Sequence, residues 1–567
     1  MRYTCIFLLL LSLAACETYR KNATIDAYRY DAVKNITARN GAVVSAHPLA
    51  SKVGIEVLKQ GGNAMDAAIA TQLALAVVYP NAGNLGGGGF LVARLKDGKT
   101  LALDYREMAP GAAHRDMYLD GDGNVIPGRS TDGHLSAGVP GTVAGLFETA
   151  KYGKLSFNKL IDPAIMLAEK GFVITENEAG SLNRIQDELK RYNTSPSAFQ
   201  RKQPWKAGDT LVQTDLANTL KRIRKEGLKG FYEGRTAALI VDEMKRGGGI
   251  ISLEDLRNYR AKWRNPYSFD YKGYTVVSMP MPSSGGVLLH QMLKMVEDKP
   301  LSSYGFHSPE AVQLMTEAER RAYADRAEYM GDADFYAVPV EKITSEAYLK
   351  ERMSNYRPGI AGTSTEVRPG LLTKESEETT HLSILDAEGN AVAVTTTLNN
   401  SYGSKTVVGG AGFILNDEMD DFSVKPGVPN MYGAVGGEAN AIKPGKRMLS
   451  SMTPTLVLKD GKPYLVIGTP GGTTISTSVF QTIVNIIDFN LSTVDAVNNP
   501  KFHHQWLPDR IDLERGFPAS TREALKKMGY TVLDRGAIGR TEVIKVLPDG
   551  RLEAVADKRG DDSAEGY

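Results

Sequence analysis

Cysteine is nearly absent from this chain. Only Cys5 and Cys16 occur among its 567 residues, and both lie close to the N-terminus. The chain after residue 16 therefore has neither a disulfide nor a thiol nucleophile, and its fold must depend on a packed core. An excess of charge of one sign is also missing, since the formal net charge is +1. Because no block of lysine and arginine suits a phosphate backbone, no nucleic-acid partner is expected.

Several common catalytic motifs are missing as well. The chain has no Gly-x-Ser-x-Gly nucleophile elbow and no His-Glu-x-x-His zinc motif. His503 and His504 are adjacent, so they point to different faces of a strand or helix and make poor joint metal ligands. A glycine loop at residues 81–89 lacks the Gly-Lys-Ser/Thr ending of a P-loop, which argues against nucleotide binding. No metal or organic cofactor is expected.

The N-terminal segment has the features of an export signal. Arg2 precedes an apolar run at residues 6–13, which is too short to span a membrane. This pattern predicts a signal peptide at residues 1–15.

The signal ends in Leu-Ala-Ala-Cys, with the cysteine at Cys16. This ending resembles the lipobox of bacterial lipoproteins, in which the cysteine carries a diacylglyceryl anchor. We therefore expect a lipidated Cys16, a polar tether at residues 16–40, and a periplasmic protein whose contact with a bacterial membrane is through the anchor alone. The alternative is a plain secretory signal that happens to contain a cysteine.

Hydrophobic periodicity predicts a chain of mixed helices and strands. The clearest helices are expected at residues 47–59, 64–78, 214–226, 308–330 and 476–487, and the clearest strands at 90–94, 100–105, 274–278, 391–398, 455–458 and 464–468. The charged helix at 308–330 is expected to face solvent. The stretch 357–378 has little periodicity and is interpreted as an exposed linker suited to cleavage.

Thr379 stands where that linker meets a predicted strand. The residues before it, 375–378, form an acidic run that ends in Glu378. A threonine at a chain start can use its own α-amino group as a base, and the amine has a reference pKa of about 7.7. His381 is expected to point away from Thr379. Residue type alone supports Thr379 only weakly, because threonine is common in strands.

Six blocks of sequence, in order, resemble the γ-glutamyltransferase (γ-glutamyltranspeptidase) family over roughly residues 36–567. Each block by itself is weak, and their joint order is specific. They are residues 61–68, 104–110, 379–381, 416–422, 450–455 and 468–472.

The resemblance implies an α+β fold, the αββα sandwich of the N-terminal nucleophile hydrolases, with two stacked antiparallel sheets flanked by helices. It also implies that the precursor cleaves itself between Glu378 and Thr379. The products would be a large subunit at residues 41–378 and a small subunit at 379–567, which form one αββα unit.

The resemblance further assigns catalytic roles. Thr379 matches the nucleophile, and Thr397 matches the threonine that positions its hydroxyl. Gly471 and Gly472 match the pair whose backbone N–H groups hold the oxyanion.

Substrate contacts follow from the same resemblance. The residues that match the grip on the α-carboxylate are Arg106, Ser450 and Ser451, and those that match the grip on the α-ammonium are Asn399, Glu418 and Asp421. Relatives carry either Gln or Glu at the position of Glu418. Residues 426–437 resemble a lid loop with Tyr432 as its gate residue.

The predicted function is a self-processing γ-glutamyltransferase acting on glutathione and related γ-glutamyl compounds. A γ-glutamyl ester on Thr379 would pass to water or to an amino acid or peptide acceptor. One alternative is an acylase of the same fold that acts on glutaryl-cephalosporins or poly-γ-glutamate. The other is a non-enzymatic surface lipoprotein.

Overall fold

A computed structural model describes residues 25–367, 379–425 and 437–567. The strands of these residues are β1 (Asn35–Ala38), β2 (Gly41–Ser45), β3 (Gly88–Arg94), β4 (Thr100–Asp104), β5 (Phe172–Val173), β6 (Thr210–Leu211), β7 (Lys262–Arg264), β8 (Tyr267–Tyr271), β9 (Tyr274–Ser278), β10 (Thr380–Asp386), β11 (Ala391–Thr397), β12 (Thr455–Lys459), β13 (Lys462–Gly468), β14 (Phe502–His503), β15 (Ile511–Glu514), β16 (Val532–Arg535), β17 (Glu542–Val546), β18 (Leu552–Val555) and β19 (Ser563–Gly566).

Helices connect and cover these strands. They are α1 (Pro48–Lys59), α2 (Ala64–Val78), α3 (Thr142–Ala150), α4 (Phe157–Lys170), α5 (Glu176–Arg184), α6 (Gln186–Tyr192), α7 (Thr214–Glu226), α8 (Lys229–Tyr232), α9 (Gly234–Gly247), α10 (Leu253–Asn258), α11 (Gly285–Glu297), α12 (Leu301–Tyr304), α13 (Pro309–Tyr329), α14 (Val340–Ile343), α15 (Glu346–Met353), α16 (Thr474–Ile487), α17 (Thr493–Asn498) and α18 (Ala519–Met528).

Two seven-stranded sheets form the centre of the molecule. Sheet I has the strand order β1-β18-β17-β13-β12-β9-β8, and sheet II has the order β19-β2-β10-β11-β3-β4-β7. Neighbouring strands in both sheets are antiparallel. Each sheet contains strands from before and from after Thr379, so a cut at that point leaves two fragments that share both sheets.

Three apolar layers hold the sheets and helices together. Val44 and Phe90 of sheet II meet Ile544 of sheet I in a core between the sheets. The neighbouring Val43 belongs instead to the core under α1 and α2, because successive side chains of a strand face opposite sides. Helices α11, α13 and α16 cover the outer face of sheet I around Val543. The αββα sandwich predicted from the family resemblance is therefore confirmed.

Helix α13 is buried, contrary to the expectation that its charges face solvent. Every side chain from Ala311 to Ala327 is buried. Arg321 Nη1 lies 2.5 Å from Glu317 Oε2, and Arg320 Nε lies 3.3 Å from Glu317 Oε1. Opposite charges spaced three and four residues apart neutralise one another along the helix, so a highly charged segment can enter the core.

The predicted tether at residues 16–40 also needs correction. Residues 35–38 form β1, which pairs with β18 at the edge of sheet I. Lys34 Nζ donates three hydrogen bonds of 2.7 to 3.0 Å to backbone carbonyls within residues 557–562. The chain is therefore packed on the fold well before residue 40, and residues 16–24 lie outside the described part.

The predicted exposed linker at residues 357–378 is packed over its first part. Trp506 Nε1 donates hydrogen bonds to the backbone oxygens of Ser364, at 3.0 Å, and Val367, at 2.8 Å. These bonds fix the segment against residues that follow Thr379. Residues 368–378 lie outside the described part of the chain.

The glycine loop at residues 81–89 brings backbones close together. A Cβ on Gly86 would lie 2.1 Å from the backbone oxygen of Ile414, and one on Gly87 would lie 2.1 Å from that of Thr397. Only glycine permits such contacts. The loop therefore has a packing role beside Thr397.

The described helices include none long and apolar enough to cross a membrane.

Candidate active site

Several predicted site residues lie close together at one end of the strands of sheet II. Thr380 lies opposite Thr396, and Thr396 lies opposite Gly89. Gly89 exchanges backbone hydrogen bonds of 3.1 and 3.3 Å with Tyr105. These four residues form a row across β10, β11, β3 and the end of β4.

Thr379, Thr397 and Arg106 each lie one residue beyond that row, at the same end of the strands. Thr379 is 5% exposed and Arg106 is 1% exposed, so both are buried. Adjacent strands lie about 4.8 Å apart, and three strand spacings place the backbones of Thr379 and Arg106 about 14 Å apart. An arginine side chain and a glutamyl group, laid end to end, together bridge a gap of this size.

Sheet I contributes a glycine turn (residues 469–472) close to this end of the strands. β13 ends at Gly468, where an added Cβ would lie 2.2 Å from the ring of His381 near the start of β10. The turn that follows β13 is therefore brought to the end of β10 where Thr379 lies. Gly471 and Gly472 have φ of 135° and 54°, conformations that favour glycine.

The amide groups of the glycine turn are oriented by the start of α16. Thr474 N–H donates to Gly471 O at 2.9 Å, and Ile475 N–H donates to Gly472 O at 3.1 Å. Within residues 25–367, 379–425 and 437–567, the N–H groups of Gly471 and Gly472 donate no hydrogen bond. Two adjacent N–H donors held without an acceptor in the described residues, one on buried Gly471 and one on half-buried Gly472, are suited to binding a negatively charged oxygen.

Arg106 is the centre of a buried charge cluster. Its Nη1 lies 2.5 Å from Glu418 Oε2 and 3.5 Å from Glu107 Oε2. Its Nη2 also bonds Asp421. Glu107 and Glu418 are fully buried, whereas the side chain of Asp421 is 13% exposed. One guanidinium therefore faces three carboxyl groups.

This imbalance shifts the proton affinities of the cluster. Burial raises the pKa of Glu418 to about 8, although the charge of Arg106 opposes the shift. Burial likewise raises the pKa of Glu107 to about 8. Burial by itself lowers the pKa of Arg106, but Glu418 and Asp421 outweigh it and raise that pKa above its ordinary value. The cluster is negative overall once its carboxyl groups ionise, which suits it to an additional cation.

Ser450 and Ser451 lie beside this cluster. Arg106 donates to the backbone oxygens of Met448, at 3.4 Å, and Leu449, at 3.3 Å. The two serines follow directly along the chain. The structure therefore places the backbone just before the two serines in contact with Arg106.

Asn399 joins the cluster through its backbone neighbours. It has a φ of 74°, which asparagine tolerates better than most residues. Its N–H donates to Thr397 Oγ1 at 2.8 Å, and its Nδ2 donates to the backbone oxygen of Asp417 at 3.0 Å. This positive-φ residue thus connects the end of β11 to the residue before Glu418.

Two supporting residues on α13 were missed at the level of sequence. Arg326 Nη2 donates to Ser451 Oγ at 2.9 Å, and its Nε donates to Ser284 Oγ at 3.1 Å. The Tyr323 hydroxyl donates to the backbone oxygen of Thr473, next to the glycine turn. Tyr323 and Arg326 are three residues apart and so lie on one face of the helix, which is the pattern that could have predicted their shared role. The expectation that α13 faces solvent led away from that prediction.

The expectation that His381 points away from Thr379 is also wrong. It lies two residues from Thr379, and residues two apart in an extended chain face the same side, so strand alternation does not turn it away. Its Nδ1 lies 2.9 Å from Thr395 Oγ1, and its Nε2 lies 3.1 Å from Ser383 Oγ. Burial lowers its pKa to about 3. Because both ring nitrogens are engaged within the sheet, His381 is poorly suited to act as a base.

Three predicted site residues fall outside the described part of the chain. They are Cys16, Glu378 and Tyr432. Gly437, at the end of the predicted lid loop, is described, and its N–H donates to the backbone oxygen of Ala327 at 3.1 Å.

Comparison with known proteins decides the family. The sequence model of γ-glutamyltranspeptidase matches residues 50–567. The chain belongs to the γ-glutamyltranspeptidase family. A glutathione hydrolase proenzyme of Escherichia coli (strain K12) is 49% identical over 543 residues, which are 95% of this chain and 93% of that protein.

Solved structures agree with this family. A γ-glutamyltranspeptidase from Helicobacter pylori is 48% identical with a TM-score of 0.57, and the match covers 57% of this chain and 94% of that chain. A cephalosporin acylase from Bacillus halodurans is 28% identical with a TM-score of 0.81, and the match covers 94% of this chain and 97% of that chain. The γ-glutamyltranspeptidase predicted from six sequence blocks is thereby confirmed, and the chain is a self-processing enzyme of this family.

Proposed function

We propose that Thr379 is the nucleophile of a γ-glutamyl hydrolase and transpeptidase that acts on glutathione and related γ-glutamyl amides. One observation carries this proposal. Thr379 and Arg106 lie at the same end of the strands of sheet II, and the N–H groups of Gly471 and Gly472, close to that end, have no acceptor among the described residues. A nucleophile, an oxyanion site and a charged anchor are the parts that acyl transfer from an amino-acid side chain requires.

Maturation uses the same hydroxyl. Thr379 Oγ attacks the carbonyl carbon of Glu378, and the proton of the hydroxyl passes to the departing nitrogen of Thr379. The resulting ester joins Glu378 to Oγ, and water then hydrolyses it. The α-amino group of Thr379 is thereby released, and with a pKa of about 7.7 it can act as a general base.

The charge cluster recognises the α-carbon end of the substrate. Arg106, Ser450 and Ser451 take the α-carboxylate, and Asn399, Glu418 and Asp421 take the α-ammonium. Arg106 already pairs with Glu418 and Asp421 in the structure. A zwitterion that inserts between them exchanges these pairs for new ones of the correct sign, so no buried charge is left alone.

Catalysis then occurs at the other end of the glutamyl group. Thr379 Oγ attacks the γ-carbonyl carbon while its proton passes through the α-amine to the leaving nitrogen. The N–H groups of Gly471 and Gly472 stabilise the oxyanion, and Thr397 positions the hydroxyl. Water or an amino acid or peptide then takes the γ-glutamyl group from the ester.

A second candidate function is that of a glutaryl acylase, because a related structure is a cephalosporin acylase. A glutaryl group has no α-ammonium, whereas Glu418 and Asp421 provide two carboxyl groups for one. This favours a γ-glutamyl substrate. Membership of an enzyme family removes the non-enzymatic alternative.

We also propose that the enzyme is exported and anchored in a bacterial membrane through a lipid on Cys16. The lipobox-like ending of the signal supports this. In cells fed a radiolabelled fatty acid, the wild-type large subunit should carry label and sediment with membranes. Cys16→Ser should lose the label and enter the soluble fraction, and a wild type without label would favour the plain secretory signal.

The test of the main proposal compares Thr379→Ala with the wild type. The wild type should give two bands on a denaturing gel and hydrolyse a chromogenic γ-glutamyl anilide. Thr379→Ala should give one full-length band and lose activity by at least about a thousandfold. Thr379→Ser keeps a hydroxyl and should still be cleaved. Wild-type turnover by Thr379→Ala would refute the mechanism.

A further inference from the structure

Two buried carboxyl groups outside the proposed site lie between the sheets. Glu542 begins β17 of sheet I, and Asp562 directly precedes β19 of sheet II. Ile544 and Ala564, which follow them by two residues, belong to the apolar core between the sheets. Because residues two apart in an extended chain face the same side, both carboxyl groups point towards this core. Both side chains are fully shielded from water, and together they are called the carboxyl pair below.

The oxygens of the carboxyl pair need a hydrogen-bond donor. In the described part of the chain, no group hydrogen-bonds to either carboxylate oxygen of Glu542 or of Asp562. An ionised carboxylate buried without a donor is costly, and two of them side by side also repel each other. One proton removes both costs, because a protonated Glu542 forms a hydrogen bond with Asp562.

Two cations face the carboxyl pair. Arg540 Nε lies 3.8 Å from Asp562 Oδ1, which is longer than a hydrogen bond. Lys34 Nζ donates to the backbone oxygens of Asp557, Gly560 and Asp562 at 2.7 to 3.0 Å, so its three N–H groups are directed at carbonyls. The charges of both cations favour one negative charge on Asp562.

Asp557 is a third acid close to the carboxyl pair. Its carboxylate accepts hydrogen bonds of 2.9 Å from Arg559 Nη1 and from the N–H of Thr541, and Lys501 Nζ lies 4.0 Å away. Asp557 is thus paired with its own cations. Its negative charge opposes a second negative charge on the carboxyl pair.

The proton affinities agree with this geometry. Burial raises the pKa of Glu542 well above its ordinary value, and the charge of Asp562 raises it further. Burial also raises the pKa of Asp562, although the charge of Arg540 opposes that shift. The surroundings therefore favour one proton and one negative charge on the two carboxyl groups.

The carboxyl pair lies behind the strand end that leads to the glycine turn. Glu542 lies opposite Gly468 in the ladder of β17 and β13, and Gly468 directly precedes the turn. Ser383 Oγ of β10 donates to the backbone oxygen of Glu542 at 3.1 Å. A movement of Glu542 would therefore reach both the glycine turn and the strand that begins beside Thr379.

We propose that Glu542 and Asp562 share one proton, which joins the two sheets and holds the glycine turn in place. Loss of this proton at alkaline pH leaves two anions in an apolar layer, which loosens the sheets at this end and lowers turnover. Glu542 is a positioning residue, since it acts through the turn. The effect on turnover rests on the γ-glutamyltransferase function proposed above, whereas the shared proton does not.

The direction of the pH effect follows from proton binding. An unfolded glutamate has a pKa of about 4.3, whereas the folded carboxyl pair keeps its proton to higher pH. The stabilisation is therefore full below about pH 4.3 and is lost as pH rises through the folded-state pKa. Glu542→Gln can donate from its amide to Asp562 without a titrating proton, so this loss should be absent from the variant.

Urea unfolding of the mature protein between about pH 5 and 9 tests the shared proton. The unfolding constant of the wild type, divided by that of Glu542→Gln, should rise with pH by up to about tenfold per unit. Glu254→Gln, which removes an exposed acid on α10, should keep a constant ratio to the wild type. A constant ratio for Glu542→Gln would overturn the proposal. Failure of this variant to fold would also contradict it, because only the titrating proton is removed.

Infrared spectra detect the proton directly. At neutral pH the wild type should show the carbonyl stretch of a protonated carboxyl group that is missing from Glu542→Gln. The difference spectrum of these two proteins isolates this band from those of other buried acids. Lack of the band, as a cation held between two carboxylates would cause, refutes the shared proton.

The link to the glycine turn is tested by kcat for anilide hydrolysis between about pH 7 and 10. In alkali the wild-type kcat should fall at least about tenfold further than that of Glu542→Gln, and return to neutral pH should restore it. Equal pH profiles would refute the effect on the turn. If the wild type hydrolyses no anilide at any pH, the proposed function fails, and the unfolding and infrared comparisons still decide the shared proton.

Discussion

Arg106 and Glu418 form a buried ion pair, with 2.5 Å between Nη1 and Oε2. Both side chains are shielded from water, and Glu107 and Asp421 add further negative groups around the same guanidinium. Because a carboxyl group in such surroundings is costly to ionise, the site is prepared for a ligand that brings its own positive charge.

The first prediction concerns Asp421 and the substrate ammonium. Asp421→Ala should lower kcat/KM for a γ-glutamyl anilide on the order of 10- to 100-fold, because a charge-assisted hydrogen bond contributes about 1.5–3 kcal/mol. A glutaryl anilide lacks the ammonium group and serves as the matched control on the same protein. Equal losses on both substrates would contradict the assigned role, and little loss on either substrate would favour a glutaryl acylase.

The second prediction concerns pH. Since burial raises the pKa of Glu418 to about 8, the carboxylate form of Glu418 gains population as pH rises through this value. Binding of an ammonium group needs the carboxylate, so the Ki of L-norleucine should fall as pH rises from about 6 to 8, by at most about tenfold per unit. Norleucine carries both α-charges and no cleavable amide, so its Ki is independent of the catalytic base.

Glu418→Gln should flatten this dependence, because the amide does not titrate. Glu388→Gln, which removes an exposed acid elsewhere, should retain the wild-type slope. A Glu418→Gln protein with the wild-type slope would assign the titration to another group, and Glu107 is the neighbour with a similarly raised pKa of about 8.

The third prediction concerns the support of the glycine turn by α13. Tyr323→Phe removes the hydroxyl that donates to the backbone oxygen of Thr473. A lost hydrogen bond of about 1 kcal/mol, if felt in the transition state, should lower kcat about fivefold. Tyr329→Phe, on the same helix, is the control. Anilide hydrolysis gives kcat and circular dichroism checks folding, and equal kcat values for the two variants would refute the role.

The fourth prediction concerns the stability of buried α13. Glu317 accepts a hydrogen bond from the Tyr530 hydroxyl at 2.7 Å and pairs with Arg320 and Arg321. Glu317→Ala should lower the free energy of unfolding by about 3–5 kcal/mol, because two buried cations each lose a carboxylate partner. Urea unfolding of the mature protein measures this. Glu346→Ala, which breaks an exposed pair with Lys350 on α15, should cause little change.

The effect of Glu317 should depend on pH. Burial by itself raises the pKa of Glu317, but Arg320 and Arg321 outweigh it and hold the pKa below 4.5. The stabilisation is therefore full above about pH 4.5 and is lost as pH falls through the lower, folded-state pKa. A difference between wild type and Glu317→Ala that grows in acid would contradict this account.

Much of the site could be predicted from the sequence because its parts lie within short blocks. The block at residues 416–422 contains Glu418 and Asp421, and the block at 468–472 contains both glycines of the turn. Strand patterns also placed Thr379 at the start of β10 and Arg106 just after β4. Each of these is a local feature, set by neighbours in the chain.

The predictions that failed depended on distant partners. The charges of α13 predicted an exposed helix. Composition does not reveal that Glu317 pairs with Arg320 and Arg321, or that the Tyr530 hydroxyl donates a hydrogen bond to Glu317. Residues 357–367 were predicted to be an exposed linker because they have little periodicity of their own. The hydrogen bonds that fix them come from Trp506, which lies far along the chain.

The sequence by itself determined the family and the residue types of the proposed site, because those are fixed by motifs and by what each side chain can do. Only the tertiary structure decided where Thr379 stands, at the same end of the sheet II strands as Arg106 and close to the glycine turn. That arrangement depends on the register of β2, β10, β11, β3 and β4, and pairing among strands far apart in sequence is settled by packing of the whole sandwich.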